Sequence, residues 1–464
     1  MPELTIGVKE LDEALGGLEP GTLVLVIGRP GVGKTLLASK ACYENAVRGN
    51  KCLYVTFYED KEKLFRNAGR LGIDLAEAEA KGLVGYVRLP ASSPDEIVRV
   101  IGDLVARGSY RVVVIDSVNP LLELFEAGKR RAVLLNFFYQ LAGALNGLLV
   151  LIAEVMPEGG RTAALPIEYV ADTVIYMRTK AISGVPVRSI EVRKARGHPL
   201  PVVEVPYSIA EAGGIEVYLP PRPARRIGGA GQALSSSAFK LEELVGPIYR
   251  GDVAYVSYPA GAREPLVVLP LVDLAVTNGL RVLMISYKYS PDEVREVFAL
   301  ASQRYAGIGR DEIFRVLDKH FAFESLNAAG QPIQLLHAKS VELVKRLEPD
   351  IVAFHGTEVF WAISSDGPEY WRALINELTW LRNQGKLVVR YGARVDRRWT
   401  RMNEALADIV VRAGHRREGA ELRPVFHVWR RGRSPLVLEP SASDLEEIGR
   451  AMRLLLERAL GTRG

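Results

Sequence analysis

The chain has 464 residues, of which 48% are apolar and 25% charged, with a net charge of +5 and a pI near 9.0. This length exceeds what one hydrophobic core usually organises, so two or three domains are expected, and the composition is that of a globular chain rather than a disordered or fibrous one. The two cysteines, Cys42 and Cys52, are too few for a disulfide framework, the scattered histidines show no metal-ligand spacing, and no apolar run reaches the roughly 18 to 20 residues that span a bilayer.

The N-terminal stretch MPELTIGVKELDEAL lacks the basic and apolar regions of a signal peptide, which points to the cytoplasm. The run GTLVLVIG then reads as a strand buried on both faces, and KTLLASKACYENAV reads as a helix. Between them lies a complete G-x-x-x-x-G-K-[ST] loop: Gly28, Arg29, Pro30, Gly31, Val32, Gly33, Lys34 and Thr35, with Leu36 opening the helix behind it. Glycines let backbone N–H groups turn inward around phosphate oxygens, and the helix N-terminus adds partial positive charge. In that chemistry Lys34 reaches the terminal phosphates of ATP and Thr35 ligates Mg²⁺.

KCLYVTF is the next strand, ending at Tyr58-Glu59-Asp60. A carboxylate there faces the same sheet edge as the loop, so Glu59 is the first candidate for activating water and Asp60 the second. The competing reading is a solvated helix start whose acids complement the dipole. YRVVVIDS supplies Asp116 at the end of a further apolar strand, placed to organise Mg²⁺ through water.

The stretches TIGVKELDEALGGLEPGTLVLVIGRPGVGKT, LYVTFYEDKEKLFRNAGRLGID, VVVIDS and VRKARGHPLPVVEVPYSI resemble the KaiC-like branch of the RecA superfamily over residues about 4 to 220. The resemblance implies a RecA-type ATPase core in a hexameric ring, with ATP between neighbouring subunits. It also implies an adjacent Glu-Glu pair where this chain has Tyr58-Glu59, so the residue usually assigned to water activation is missing. The family's K-x-R-G segment falls on Lys194, Arg196 and Gly197, which implies fingers reaching a neighbour's γ-phosphate. Read without the family, the same residues are a basic strand edge.

PPRPARRIGGAGQALSSS, residues 220–237, reads as a linker. Beyond it the pattern repeats at a spacing of 230 residues, pairing Gly21 with Gly251, Gly49 with Gly279 and Leu53 with Leu283. Later, EYVADTVIYM lies over EALADIVVRA, and Arg196 falls close to Arg431. The expected fold is α/β: two tandem RecA-like P-loop NTPase domains, each a mostly parallel sheet flanked by helices, with the second degenerate. The boundaries are 1–219 for the intact domain, 220–240 for the linker, 241–440 for the second domain and 441–464 for a C-terminal amphipathic helix.

The phosphate chemistry does not survive the copying. Gly28 becomes Tyr258, Gly33 becomes Arg263, Lys34 becomes Glu264 and Thr35 becomes Pro265, while His355 takes the Asp116 position and Lys288-Tyr289 replace Tyr58-Glu59. A phosphorylatable Ser-Thr pair is also missing near the end of the domain, which disfavours an autokinase. Loops facing the centre of a RecA ring are expected at residues 156–168 and at RYGARVDRRWTRMNE. The second offers Arg390, Arg394, Arg397, Arg398, Trp399 and Arg401 to single-stranded nucleic acid or to a protein partner, against the plainer reading of a solvated Arg-rich loop. The tail helix is expected to begin with a Ser443/Glu446 capping box. The leading expectation is an ATP-binding, slowly hydrolysing ring protein with Mg²⁺ as its cofactor. The alternatives are a non-hydrolysing ATP-binding regulatory module and a recombinase-like repair accessory.

Overall fold

A computed structural model describes residues 2–89, 94–124, 129–155, 165–182, 185–197, 204–210, 214–217, 219, 221, 233–261, 265–331, 333–363, 367–418 and 421–461. The chain divides into two compact units, residues 1–219 and 220–464.

The described residues of the first unit form nine strands: β1 (Thr22–Gly28), β2 (Cys52–Thr56), β3 (Val84–Arg88), β4 (Val112–Asp116), β5 (Leu148–Glu154), β6 (Thr173–Ile182), β7 (Val185–Ala195), β8 (Glu204–Ala210) and β9 (Gly214–Val217). Their order across the sheet is β3-β2-β4-β5-β1-β6-β7-β8-β9. The pairs from β3 to β6 are parallel and those from β6 to β9 antiparallel. The central strands are continuous apolar runs because both faces are covered. Along β1 the side chains alternate between two cores: Leu23, Leu25 and Ile27 on one face, Val24 and Val26 on the other. All the parallel strands therefore end at one edge, where the phosphate loop follows β1. Cys42, on the helix Lys34–Val47, and Cys52, at the start of β2, are joined in a disulfide with their Cα atoms 5.5 Å apart. Counting cysteines ruled out a framework and missed this single cross-link.

The second unit repeats the plan, with eight strands among its described residues: β10 (Val253–Pro259), β11 (Val282–Ser286), β12 (Phe321–Ser325), β13 (Ile351–His355), β14 (Leu387–Arg394), β15 (Ile409–Glu418), β16 (Glu421–Arg430) and β17 (Leu436–Leu438). Their order is β12-β11-β13-β14-β10-β15-β16-β17, the first unit's order without, among the described residues, a counterpart of β9. The repeat extends to single hydrogen bonds. In the first unit the Leu23 amide donates to the Asp172 carboxylate at 3.0 Å, and the Asp172 amide donates to the Leu23 carbonyl at 2.9 Å. Val253 and Asp408 make the same pair of bonds at 3.0 and 2.8 Å.

Two expectations about this unit are corrected. Its packing starts inside the expected linker: Leu234 and Ala238 are buried, and Ser236 and Ser237 are bonded to the buried Asp273. The tail helix spans Ala442–Leu460 and is capped by Ser441 with Asp444, two residues earlier than the Ser443/Glu446 box. Its Met452 and Leu456 are fully buried within the unit, in the core that also holds the helices Leu269–Asn278, Pro291–Ala306 and Arg310–His320.

Candidate phosphate-binding and catalytic site

The loop after β1 is shaped by backbone demands that only glycine meets. Gly31 and Gly33 have φ of +80° and +97°, in the left-handed region. A Cβ on Gly28 would lie 2.5 Å from the Met177 carbonyl oxygen on β6. Val32 is buried and its carbonyl accepts a bond from the Tyr207 hydroxyl, so the loop is tied to β8, while Arg29, Pro30 and Gly31 are exposed. Gly33 caps the helix Lys34–Val47, whose first N–H groups therefore face the loop.

Lys34 is 5% exposed, and its Nζ donates to the Arg29 carbonyl at 3.0 Å and to the Glu154 carboxylate at 3.3 Å. Asp116 ends β4, at 8% exposure, and accepts from the Tyr54 hydroxyl at 2.8 Å. Burial pushes its carboxyl above 3.8; hydrogen bonds from Thr35 and Tyr54 and the charge of Lys34 pull the other way. Thus Lys34, Thr35 and Asp116, from two different strand ends, converge on one place. The hydroxyl and carboxylate oxygens of Thr35 and Asp116 are the hard donors a magnesium ion takes, with the remaining positions left to water and phosphate. The donor set fits that ion.

The second group of candidates divides. Asp60 caps the helix Lys61–Gly69, accepting from the amides of Glu62 and Lys63, so its side chain serves the helix end. Glu59 is half-buried; its carboxylate lies 4.0 Å from Lys63, and its charge is among those raising the pKa of Asp116. Tyr58 stands 70% exposed beside it. Lys194 and Arg196 lie at the end of β7. Arg196 pairs with Asp172 at 2.9 Å, and Lys194 donates to the carbonyls of Glu168 and Tyr169, both at 3.2 Å. Burial and the neighbouring Arg196 hold the Lys194 amine below its usual range.

One residue was missed. Glu154 ends β5 directly beside Gly28, and Asn119 fixes its backbone with bonds of 2.7 and 2.9 Å to its N–H and carbonyl. The signal was present: an acid closing the apolar run LLVLIAE is the pattern that identified Asp116.

At the matching edge of the second unit, strand register sets Tyr258 against Ala393 where the first unit sets Gly28 against Glu154. It sets His355 beside Ser286 where the first unit has Asp116 beside Thr56. These positions are bonded among themselves. Ser286 bonds His355 at 3.2 Å, Lys288 pairs with Glu358 at 3.1 Å, and Arg394 donates to the Ser257 carbonyl at 2.9 Å. Pro265 opens a short 3-10 turn, and the helix begins only at Leu269; Arg263 and Glu264 lie outside the described residues.

The expected arginine loop is mostly not a loop. Arg390 and Arg394 belong to β14, while Arg397, Arg398, Trp399 and Arg401 belong to the helix Arg397–Ala405. Arg390 is 2% exposed, bonded to Asn403 and Tyr370, and Trp399 is 6% exposed, packed on Tyr370 and Trp371. A buried arginine or tryptophan cannot meet a nucleic acid, so the exposed set is Arg397, Arg398 and Arg401. Of the other expected loop, residues 156–164 lie outside the described residues. No helix among the described residues is long and apolar enough to cross a membrane.

Residues 4–222 match the family model of the KaiC ATPase. Over 315 residues the chain is 26% identical to the circadian clock protein KaiC3 of Synechocystis, a match covering 62% of each protein. It is 29% identical over 219 residues to the circadian clock oscillator protein KaiC of Rippkaea orientalis, covering 45% of this chain and 41% of that one. A DNA repair protein RadA of Synechocystis is 29% identical over 189 residues, 37% of this chain and 36% of that protein. In each case less than two thirds of the relative's length is spanned.

Proposed function

We propose that residues 4–222, which match the KaiC ATPase model, make this chain a KaiC-like ATPase of the RecA superfamily, and that its first unit binds ATP with Mg²⁺ and hydrolyses it slowly. The observation that carries the reading is the convergence of Lys34, Thr35 and Asp116 at one sheet edge, beside a glycine-shaped loop. The helix N-terminus and Lys34 bind and orient the phosphates; Thr35 and Asp116 hold the metal. The bound metal supplies charge neutralisation at the phosphate oxygens. Glu59 orients the attacking water in place of the absent first glutamate, which makes turnover slow rather than nil. The second unit binds no nucleotide and acts as a regulatory or scaffolding tier of a ring.

Steady-state phosphate release tests this. Lys34→Ala is expected to reduce ATP-dependent release by at least about 100-fold, since a charge that stabilises the transferring phosphoryl group is worth several kcal/mol. Release that is equal in the wild type and the variant, with ATP still bound by the wild type, would favour the non-hydrolysing module instead. Exposed Tyr58 is the observation on that side.

A further inference from the structure

We propose that the second unit carries a docking cleft for an extended apolar peptide strand supplied from outside its own fold. The first unit shows what normally fills this place. There β8 continues past its pairing with β7 and turns back as β9, so that Tyr207, Ile215 and Val217 are buried in the core beside the helix Lys34–Val47. Ile209 reaches to 3.3 Å from the Cβ position of Gly33, and Gly214 lies against Lys40 of the same helix.

Among the described residues the second unit has no such hairpin. Register pairs Phe426 with Leu438 as it pairs Ile190 with Val205, so β17 reproduces only the start of β8. Two residues on, where the first unit has Tyr207, the second has Pro440, which cannot donate to a ladder, and Ser441 then caps the C-terminal helix. The helix Leu269–Asn278, which matches Lys34–Val47, is left with a cavity of about 570 Å³ beside it. Its walls include Val256, Leu271, Leu274, Val411, Phe426 and Ile448. That volume lies within the roughly 300–1,000 Å³ of ligand sites, and the walls are mostly apolar, with Lys240, Glu243, Glu439, Asp444 and Glu447 among the lining residues.

The features at the cleft select the occupant. Leu436 and Val437 on β17 are 40% and 56% exposed, and among the described residues β17 is paired only with β16. A free strand edge beside an apolar cavity suits β-augmentation: backbone bonds along the edge, with alternate side chains entering the cavity. Glu243 and Glu447 among the lining residues favour lysine or arginine flanking the apolar positions.

The test uses the full chain and two labelled peptides of equal composition. One alternates isoleucine or valine with threonine between lysine flanks; the other has its apolar residues clustered. Fluorescence anisotropy measures binding, and amide hydrogen exchange reads Leu436–Leu438. The alternating peptide is expected to bind at least tenfold more tightly and to protect that segment. Val437→Pro is expected to weaken it at least tenfold without changing the chain's thermal midpoint by more than a few degrees, and Lys34→Ala is expected to leave it unchanged. Equal binding of the two peptides, or binding without protection of Leu436–Leu438, overturns the proposal. So does uptake of an apolar dye such as anilinonaphthalene sulfonate that the alternating peptide fails to displace, which would mark a small-molecule pocket.

Discussion

Glu154 and Asp12 show how much of the first unit's behaviour rests on single carboxylates. Glu154 pairs with the Lys34 ammonium across 3.3 Å, at 47% exposure of the acid side chain, and on the proposed function it would compete there with phosphate. An ion pair whose acid is this open to water is worth about 0.2–1 kcal/mol, so Glu154→Gln is expected to tighten ATP binding by up to about fivefold; weaker binding, measured by calorimetry, would mean instead that Glu154 positions the lysine. Tyr58→Glu restores the acid missing from the family pair and is expected to raise phosphate release by about tenfold or more. An unchanged rate would remove position 58 from the mechanism. Asp12 accepts bonds from the Thr5 hydroxyl and the Ile6 amide, yet burial raises its pKa from 3.8 to about 6. Since the folded value is the higher, its favourable contribution is complete below pH 3.8 and is lost as pH rises through about 6. Asp12→Asn should flatten the thermal midpoint's dependence on pH across that window relative to the wild type, and parallel curves would contradict the assignment.

At the scale of elements, the parallel strands were legible because each is an apolar run closed by a polar residue at a sheet edge. The phosphate loop was legible because its glycines and lysine are contiguous. What was not legible depended on distant contacts. RYGARVDRRWTRMNE reads as a basic loop, but Arg390 and Trp399 alternate inward and find Tyr370, Asn403 and Trp371, partners that no local pattern announces. Ser236 to Ala238 read as linker because their composition is small and polar, while Asp273, more than thirty residues away, accepts their hydrogen bonds. This difference is measurable. Arg390→Ala leaves buried partners unsatisfied and is expected to cost about 2–4 kcal/mol in denaturant unfolding, whereas the double change Arg397→Ala and Arg398→Ala should stay within about 1 kcal/mol. If that double variant also abolishes salt-dependent binding of single-stranded DNA by the wild type, the repair-accessory reading gains its support; if the wild type shows no such binding, that reading fails.

For the whole molecule, the open question is whether the site is shared between copies of the chain. Arg196 and Lys194 are held by Asp172 and by the carbonyls of Glu168 and Tyr169, at the far end of β7 from its hairpin with β6. As fingers they would serve a neighbour's nucleotide, and such a cation contributes roughly 10³–10⁵ in rate. Arg196→Ala should then lose turnover while still binding ATP, and Lys34→Ala should lose turnover through its own loop. Mixing the two inactive variants separates a shared site from a self-contained one. In a head-to-tail ring assembled at random from equal amounts, about a quarter of interfaces join an intact loop to an intact finger, so part of the wild-type phosphate release should return. Mass photometry of the same mixture with ATP and Mg²⁺ should show an oligomer that is absent without nucleotide. No recovery of activity, in a mixture shown to co-assemble, would place both arginine and lysine in service of their own chain and leave the ring without a catalytic role.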